Sequence, residues 1–238
     1  KYKIRKYGFH GINHSYVANE AAKILAQPLH ALKVITCHLG NGCSITAWEQ
    51  GKSIDTSMGL TPLEGLVMGS RCGDLDPAIV LYLMDELGLT TSEVTDLLNT
   101  RSGLLGLCGN NDMRDIIAMA ESGEERSQVA IEVFVHRVQK YVGAFVAAMN
   151  GVDVIVFTGG IGENSPYIRH RVAANLGYLG ANMDLEKNDN GEIVFSSDNS
   201  SVTLMTIPAN EEMAIVQQTY SILAKSMKTL VRKSKVKS

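Results

Sequence analysis

Long apolar runs are absent from this chain of 238 residues. No stretch reaches the roughly 18 consecutive apolar residues that a membrane-spanning helix requires, and no charged segment followed by an apolar one opens the sequence, as it does in a secretory signal peptide. The formal net charge is only −3, so no overall excess of positive charge favours nucleic acid as a partner. We therefore expect a cytoplasmic protein that binds neither a membrane nor nucleic acid.

Cysteine is scarce, and its spacing excludes the usual disulfide and metal frameworks. The four cysteines are Cys37, Cys43, Cys72 and Cys108, and no CxxC pair occurs among them. This pattern predicts reduced, structural thiols. A zinc site built from Cys37, Cys43 and a histidine is conceivable, but the spacing matches no usual tetrahedral pattern, so we assign no transition metal.

The common nucleotide-binding fingerprints, GxxxxGK[ST] and GxGxxG, are also missing. Two glycine-containing segments take their place. In residues 33–48, Asn41-Gly42 lies between two apolar-rich runs and predicts a β-hairpin. Farther along, residues 152–156 predict a strand, Phe157 to Asn164 a glycine turn and Tyr167 to Leu176 a helix. A strand, turn and helix in that order can bind an anionic group. Either segment alone is weak evidence for a ligand, since an ordinary turn needs none.

Periodicity and capping signals predict a mixture of strands and helices in the rest of the chain. We expect one domain of α/β class without internal repeats. The predicted elements are a strand-like run at Tyr2–Tyr7, helices at Ser15–Leu25, Ala78–Leu87, Thr91–Leu98, from Asp112 and over residues 124–149, a three-stranded meander at Val34–Met58, a glycine-rich connector at Gly103–Asn111, a polar excursion at Lys187–Gly191, strands at Glu192–Ser196 and Val202–Ile207, and a last helix from Asn210.

Three polar features leave alternatives open. His10 is either a hydrogen-bonded loop histidine or a catalytic donor, and Gly11 argues against a zinc pair with His14 four residues on. Arg71 lies between glycines and near carboxylates, so it is either an ion-pair partner or a clamp on a phosphoryl group. The basic residues between 225 and 237 form either a solvated end or a contact for an anionic partner.

Six segments in fixed order resemble the acetate kinase family. The resemblance spans residues 7–212 and covers only the carboxy-terminal part of that family's usual length. The first residue is lysine rather than methionine, which suggests a fragment, a processed product or a renumbered piece of a longer protein. The matching segments are residues 7–11 (YGFHG), 38–42 (HLGNG), 55–65 (DTSMGLTPLEG), 73–77 (GDLDP), 157–164 (FTGGIGEN) and 210–212 (NEE).

The resemblance implies a ribonuclease H-like domain of the acetate and sugar kinase, heat-shock chaperone and actin superfamily. The implied reaction is transfer of the γ-phosphoryl group of ATP, with Mg²⁺, to acetate, which gives acetyl phosphate and ADP. It further implies a homodimer, and an amino-terminal domain, absent from these 238 residues, that supplies an acyl-site arginine and a catalytic aspartate. Residues 1–211 are then the nucleotide-binding domain, and residues 212–238 are expected to pack on that absent domain.

Individual roles also follow from the resemblance. His10 and Arg71 are expected to stabilise the transferring phosphoryl group, Glu211 to support Mg²⁺, and Phe9 with Pro62 to form part of the acyl pocket. The residues expected to contact the ATP phosphates are His38, Leu39, Gly40, Asn41 and Gly42. Those expected to hold the nucleotide are Asp112, Met113, Arg114, Gly159, Gly160, Ile161, Gly162, Glu163 and Asn164.

The sequence is compatible with three functions. The first is part of a short-chain acyl kinase, acting on acetate or on the longer propionate or butyrate. The second is a nucleotide-binding module without turnover. The third is an interaction protein that uses its basic tail, residues 225–237. The chemistry favours the first, because a carboxylate substrate is already ionised at neutral pH and phosphoryl transfer to it needs positioned donors rather than a general base.

Overall fold

The computed structural model describes residues 1–216, 219–220 and 222–223. The basic residues predicted between 225 and 237 lie outside the described part of the chain. Within the described part, no helix is both long and apolar enough to cross a membrane. The four cysteines are free thiols, of which Cys37, Cys43 and Cys108 are buried.

One mixed sheet of five strands forms the centre of the described chain, in the order β3-β2-β1-β4-β5. Strands β1, β2 and β3 are antiparallel, whereas β4 and β5 run parallel to β1. The predicted hairpin and meander are therefore confirmed, as is the α/β class. The strands are β1 (Val34–Leu39), β2 (Cys43–Glu49), β3 (Lys52–Thr56), β4 (Val154–Thr158) and β5 (Thr203–Thr206).

Helices fill most of the connections, and their starts follow the predicted capping signals. Asp76 accepts a hydrogen bond from the backbone of Ala78, and Thr90 forms a capping box with Glu93. Residues 211–216 are also helical, and Asn210 caps them by accepting from the backbone N–H of Met213 at 3.0 Å. The other helices are α1 (Gly11–Ile24), α2 (Pro77–Leu87), α3 (Thr91–Thr100), α4 (Gly103–Cys108), α5 (Met113–Glu121), α6 (Glu125–Met149), α7 (Gly159–Asn164), α8 (Pro166–Ala173) and α9 (Leu185–Asp189).

The centre of the sheet is covered on both faces, and successive strand residues pack into opposite layers because their side chains point to opposite sides. On one side, Val34 of β1 and Val154 of β4 pack with α1 in one apolar cluster. On the other side, Ile35 and Ile155 belong to the cluster that contains the buried face of α6. The strands β1 and β4 are thus buried on both faces, as is usual for parallel strands with helices on either side.

Two predictions of strands are wrong. Tyr2–Tyr7 alternates in sequence but forms no strand: Tyr2 and Ile4 are exposed, and the end of the segment only touches the region of β3, through Lys6 to Asp55 and the backbone N–H of Tyr7 to the carbonyl oxygen of Gly59. Glu192–Ser196 makes only isolated bridges, Val194 with Met205 and Ser196 with Met183. This segment divides its hydrogen bonds between two neighbours, so no continuous ladder forms.

Three segments predicted as irregular contain helices. The supposed connector at Gly103–Asn111 contains α4, the glycine turn at Phe157–Asn164 contains α7, and the polar excursion at Lys187–Gly191 overlaps α9. In the first two, glycines lower the helix propensity by about 1 kcal/mol each relative to alanine. Tertiary contacts compensate: Leu104 and Cys108 of α4, for example, are buried.

Candidate functional site

The turn between β1 and β2 lies close both to the start of α7 and to the side chains of His10 and Arg71. A Cβ atom placed on Gly40 would lie 3.7 Å from the backbone nitrogen of Gly160, at the start of α7. A Cβ atom on Gly42 would instead lie 3.4 Å from Nη1 of Arg71 and 3.7 Å from Nε2 of His10. The absence of side chains at both glycines leaves room for a ligand to approach the backbone.

A cleft of about 580 Å³ opens beside this turn. Its volume is in the range of small-molecule sites. One wall comes from the start of α5 and the other from α7 and the start of α8. The lining residues are Gly40, Asn41, Asn111, Asp112, Met113, Arg114, Ile117, Gly160, Ile161, Asn164, Ser165 and Pro166.

Helix α7 lies close against β1 because its first residue is glycine. Gly159 has φ of +80°, and a Cβ atom there would lie 2.8 Å from the carbonyl oxygen of Leu39. The carboxylate of Glu163 fixes the same end of the helix, since it accepts hydrogen bonds from the backbone N–H groups of Gly159 at 2.7 Å and Ala209 at 2.8 Å. Glu163 therefore positions α7 and the segment leading to Glu211.

The opposite wall starts at Asp112, which caps α5. Its Oδ1 accepts from the backbone N–H of Arg114 at 2.9 Å, and its Oδ2 accepts from Nη2 of the same arginine at 2.6 Å. These bonds lower the pKa of Asp112 to about 2. The carboxylate is thus ionised at neutral pH and keeps the exposed guanidinium of Arg114 at the edge of the cleft.

His10 immediately precedes α1 in the left-handed conformation, with φ of 57°. Its Nδ1 lies 2.9 Å from Oγ of Ser44, and its ring stacks on that of His38 with 4.1 Å between centroids. Burial lowers the pKa of His10; the Glu211 carboxylate opposes this effect, and the Arg71 guanidinium adds to it. His10 is therefore neutral at pH 7 and can donate one N–H.

Arg71 points toward the same space as His10. Its Nη1 donates to the carbonyl oxygen of Pro62 at 3.3 Å, and no carboxylate in the described residues forms an ion pair with it. Helix α4 holds its loop, because Leu104 N–H donates to the carbonyl oxygen of Met68 at 2.9 Å. Within the described part of the chain, no ion pair therefore supports the alternative that Arg71 is an ion-pair partner.

Glu211 is the candidate metal ligand. Its carboxylate is close enough to His10 to raise the pKa of that ring. Among the described residues, no group of three or more histidine, cysteine, aspartate or glutamate side chains could hold a metal ion by itself. A single carboxylate nevertheless fits Mg²⁺, which usually keeps several waters and binds through one or two carboxylates plus substrate phosphates.

Sequence reasoning and structure differ on which residues meet at the cleft. The predicted residues that line it are Gly40, Asn41, Asp112, Met113, Arg114, Gly160, Ile161 and Asn164. Outside its lining are His38, Leu39, Gly42, Gly159, Gly162 and Glu163, as well as Phe9 and Pro62 of the expected acyl pocket. Sequence reasoning missed Asn111, Ile117, Ser165 and Pro166, although Ser165 and Pro166 carry the signal of a helix start.

A family model and curated relatives match this chain, and all of them belong to one family. A family model described as Acetokinase family matches residues 1–217. The acetate kinase of Pseudothermotoga lettingae is 53% identical over 233 residues, which cover 97% of this chain and 58% of that protein. The acetate kinase of Heliobacterium modesticaldum is also 53% identical, over 94% of this chain and 57% of its own length. The chain thus spans somewhat more than half the length of these relatives.

Solved structures match the same region. Porphyromonas gingivalis acetate kinase is similar with a TM-score of 0.90 and 42% identity, over 92% of this chain and 56% of that one. A propionate kinase from Francisella tularensis is similar with a TM-score of 0.86 and 52% identity, over 90% and 55% of the two chains. These structures confirm the expected fold class, an α/β domain of the ribonuclease H-like kinase superfamily.

Proposed function

Because this chain belongs to the acetokinase family, we propose that it is the nucleotide-binding part of an acetate kinase, which transfers the γ-phosphoryl group of ATP to acetate. The observation that carries this proposal is the β1–β2 turn. Gly40 and Asn41 line the cleft, while Gly42 adjoins His10 and Arg71. A nucleotide in the cleft would thus extend its terminal phosphate along the turn toward these two donors.

The site residues suit phosphoryl transfer to a carboxylate. An oxygen of acetate attacks the γ-phosphorus, the bond from phosphorus to the β–γ bridging oxygen breaks, and ADP leaves with that electron pair. Charge spreads over the equatorial phosphoryl oxygens, where neutral His10 and the Arg71 guanidinium can each donate hydrogen bonds. Acetate is ionised at neutral pH, so no side chain has to remove a proton from it.

The expected Mg²⁺ would be held by Glu211, in keeping with the proximity of this carboxylate to His10. When bound with the nucleotide, the metal supplies positive charge that neutralises the phosphate oxygens. Glu163 bonds to the backbone of both Gly159 and Ala209, and it thereby fixes the position of the Glu211 segment relative to α7.

We extend the proposal to domain organisation. Residues 1–211 form the nucleotide-binding domain, and residues 212–238 pack on an amino-terminal domain that completes the acyl site. The described start of the second segment supports this, because Met213, Ile215 and Val216 are large apolar residues that are exposed. On the family resemblance we also propose a cytoplasmic homodimer, which sedimentation of the complete enzyme would test.

Trapping of acyl phosphate by hydroxylamine tests the proposed activity. We expect no acyl phosphate above the blank when the 238-residue chain is incubated with ATP, Mg²⁺ and acetate. A hybrid that adds the missing portion from the Pseudothermotoga lettingae relative should give signal. A folded hybrid without turnover that still binds ATP would instead favour a nucleotide-binding module, and turnover by the chain alone would refute the proposed division of the site.

Propionate is the second candidate substrate, because a solved relative at 52% identity is a propionate kinase. One methylene is worth only about 1–3 kcal/mol in a binding pocket. The ratio of kcat/KM for acetate and propionate decides between them when it is measured on the complete enzyme with its own amino-terminal domain, because that domain completes the acyl site. A ratio above one supports acetate kinase, and a ratio below one supports propionate kinase.

A further inference from the structure

A continuous chain of polar side chains leads from the interior of the sheet to His10. Nε1 of Trp48 lies 3.2 Å from Oγ1 of Thr36, which lies 2.7 Å from Nδ1 of His14. Nε2 of His14 lies 2.6 Å from Oγ of Ser44, which lies 2.9 Å from Nδ1 of His10. The first four residues are buried, so their polar atoms depend on one another for hydrogen bonds.

Trp48 sets the direction of these hydrogen bonds at the interior end. An indole N–H can only donate, so Oγ1 of Thr36 accepts from Trp48 and directs its own proton elsewhere. Two acceptors are within reach: Nδ1 of His14 at 2.7 Å and the carbonyl oxygen of Thr46 at 3.4 Å. The shorter contact is the stronger hydrogen bond. Thr36 therefore donates to Nδ1 of His14.

The direction of hydrogen-bond donation stays the same on the far side of His14 because its ring is neutral. Burial holds the pKa of His14 well below its usual value, and the rings of His38 and His10 act in the same sense. A neutral imidazole has one N–H. Since Nδ1 accepts from Thr36, the proton is on Nε2 and is donated to Ser44. The hydroxyl proton of Ser44 is then free to be donated to Nδ1 of His10.

We propose that Trp48, Thr36, His14 and Ser44 are positioning residues that hold neutral His10 as the tautomer with its proton on Nε2. That N–H faces the space above Gly42, where Nη1 of Arg71 also points. The stacked ring of His38 restrains the ring plane of His10. The catalytic part of this inference rests on the proposed function, whereas the tautomer follows from the hydrogen bonds and from the neutral state of the buried His14 ring.

If hydrogen-bond donation ran in the opposite direction, from His10 toward Thr36, the arrangement would be unfavourable in two ways. It would leave Thr36 with only the 3.4 Å contact to Thr46 for its proton. It would also place the proton of His10 on Nδ1, so that the lone pair of Nε2 would face the oxygens of an anionic phosphoryl group. The observed direction instead provides a donor without requiring a positively charged ring.

Nitrogen NMR of the histidine-labelled 238-residue chain tests the tautomer directly. Long-range proton–nitrogen correlations distinguish a protonated ring nitrogen from an unprotonated one, and His10→Gln and His14→Gln identify the two rings. At neutral pH we expect Nε2 to be protonated and Nδ1 unprotonated in both. A proton on Nδ1 of His10, or rapid averaging between its two nitrogens, would overturn the proposal.

Thr36→Val tests whether the hydrogen-bond chain causes this preference. Valine keeps the shape of threonine but removes the hydroxyl, and Thr46→Val is the matched control because Thr46 lies on the adjacent strand and bonds to Thr56 instead. We expect Thr36→Val to give averaged tautomers at His10, and Thr46→Val to keep the Nε2–H form. An unchanged His10 in a folded Thr36→Val chain would refute the role of Thr36.

Turnover in the hybrid enzyme tests the consequence for catalysis. Loss of one transition-state donor typically lowers kcat by a factor of about 10²–10³. Averaging between tautomers removes the donor only part of the time. We therefore expect a roughly tenfold lower kcat for Thr36→Val, with little change in the KM for ATP. Ser44→Thr should keep activity, because threonine retains the hydroxyl, whereas Ser44→Ala should resemble Thr36→Val. Unchanged kcat despite averaged tautomers would overturn the positioning role.

A wild-type hybrid without turnover would refute the proposed function, and the NMR result would still decide the tautomer.

Discussion

At the scale of single residues, the site depends on donors whose orientation is fixed by neutral partners. The guanidinium of Arg71 is held by the carbonyl oxygen of Pro62 and lies near the sulfur of Met68. Neither contact neutralises its charge. An arginine with this environment can direct its planar group at phosphoryl oxygens without first breaking an ion pair.

Replacement of Arg71 by alanine in the complete enzyme should therefore affect the transition state. We expect kcat to fall by roughly 10³-fold, the scale of arginine stabilisation in phosphoryl transfer, with ATP affinity little changed. Steady-state kinetics with an independent ATP-binding titration measures both. Arg101→Ala is the control, because Arg101 is exposed and paired with Asp96. Loss of ATP affinity at unchanged kcat would assign Arg71 to ground-state binding.

Buried histidines should make the stability of the chain depend on pH. Burial lowers the pKa of His38 from 6.5 to about 4, and the neighbouring His10 acts in the same direction. Between these values the unfolded chain binds a proton at this position that the folded chain does not. The free energy of unfolding should thus fall as the pH is lowered from 6.5 toward 4, by at most about 1.4 kcal/mol per pH unit for one group.

Urea unfolding at pH 7 and pH 5 measures this effect. His38→Gln keeps an acceptor for Asn13, whose amide donates to Nδ1 of His38 at 2.8 Å. The variant should lose less stability than the wild type between the two pH values, although His10 and His14 have pKa values lowered in the same sense. An identical pH dependence in both proteins would contradict the shift at His38.

At the scale of elements, sequence patterns located most helices and strands but missed the two short helices that shape the site. The buried face of α6 is readable because Ile131, Phe134, Val138 and Val142 recur at helical spacing. In α4 and α7 the pattern is masked by glycines. These glycines are required by contacts between distant segments, such as Gly103 against the carbonyl oxygen of Met68, and no local pattern contains that information.

The same limit applies to candidate site residues. The sequence motifs indicated the two glycine segments and Asp112 to Arg114, which the structure brings to one cleft. They did not indicate that Glu163 would turn away to bond with backbone N–H groups. They also gave no sign of the hydrogen bonds that link His14 to Ser44, because that contact joins α1 to β2 across 30 positions of sequence.

Gly159, at the start of α7, allows a direct test of the close packing of α7 against β1. Gly159→Ala places a side chain at φ of +80° and 2.8 Å from the carbonyl oxygen of Leu39, whereas Gly160→Ala meets nothing within 4 Å. We expect the first change to lower the free energy of unfolding by about 2 kcal/mol or more. The second should leave it unchanged or raise it by up to about 1 kcal/mol, because alanine favours the helix more than glycine does. Urea unfolding of both variants checks this, and equal stabilities would contradict the close approach of α7 to β1.

At the scale of the whole molecule, two sets of exposed apolar residues are consistent with a larger enzyme. Tyr2, Ile4 and Tyr7 are exposed at the start of the chain, and Ile215 and Val216 are exposed near the end of the described part. The relatives are longer by more than a third of their own length. Under the proposed domain organisation, the portion that these relatives have in addition would cover the exposed apolar residues.

Calorimetric titration of the chain with ADP and Mg²⁺ tests most directly whether the cleft between α5 and α7 binds the nucleotide. Gly160→Leu should block the cleft, and Gly177→Leu is the matched control, since a Cβ at either glycine meets nothing within 4 Å but only Gly160 lines the cleft. We predict a saturable heat at millimolar ADP for the wild type and Gly177→Leu, and none for Gly160→Leu. No heat from a folded wild-type chain, or undiminished heat from Gly160→Leu, would contradict the account.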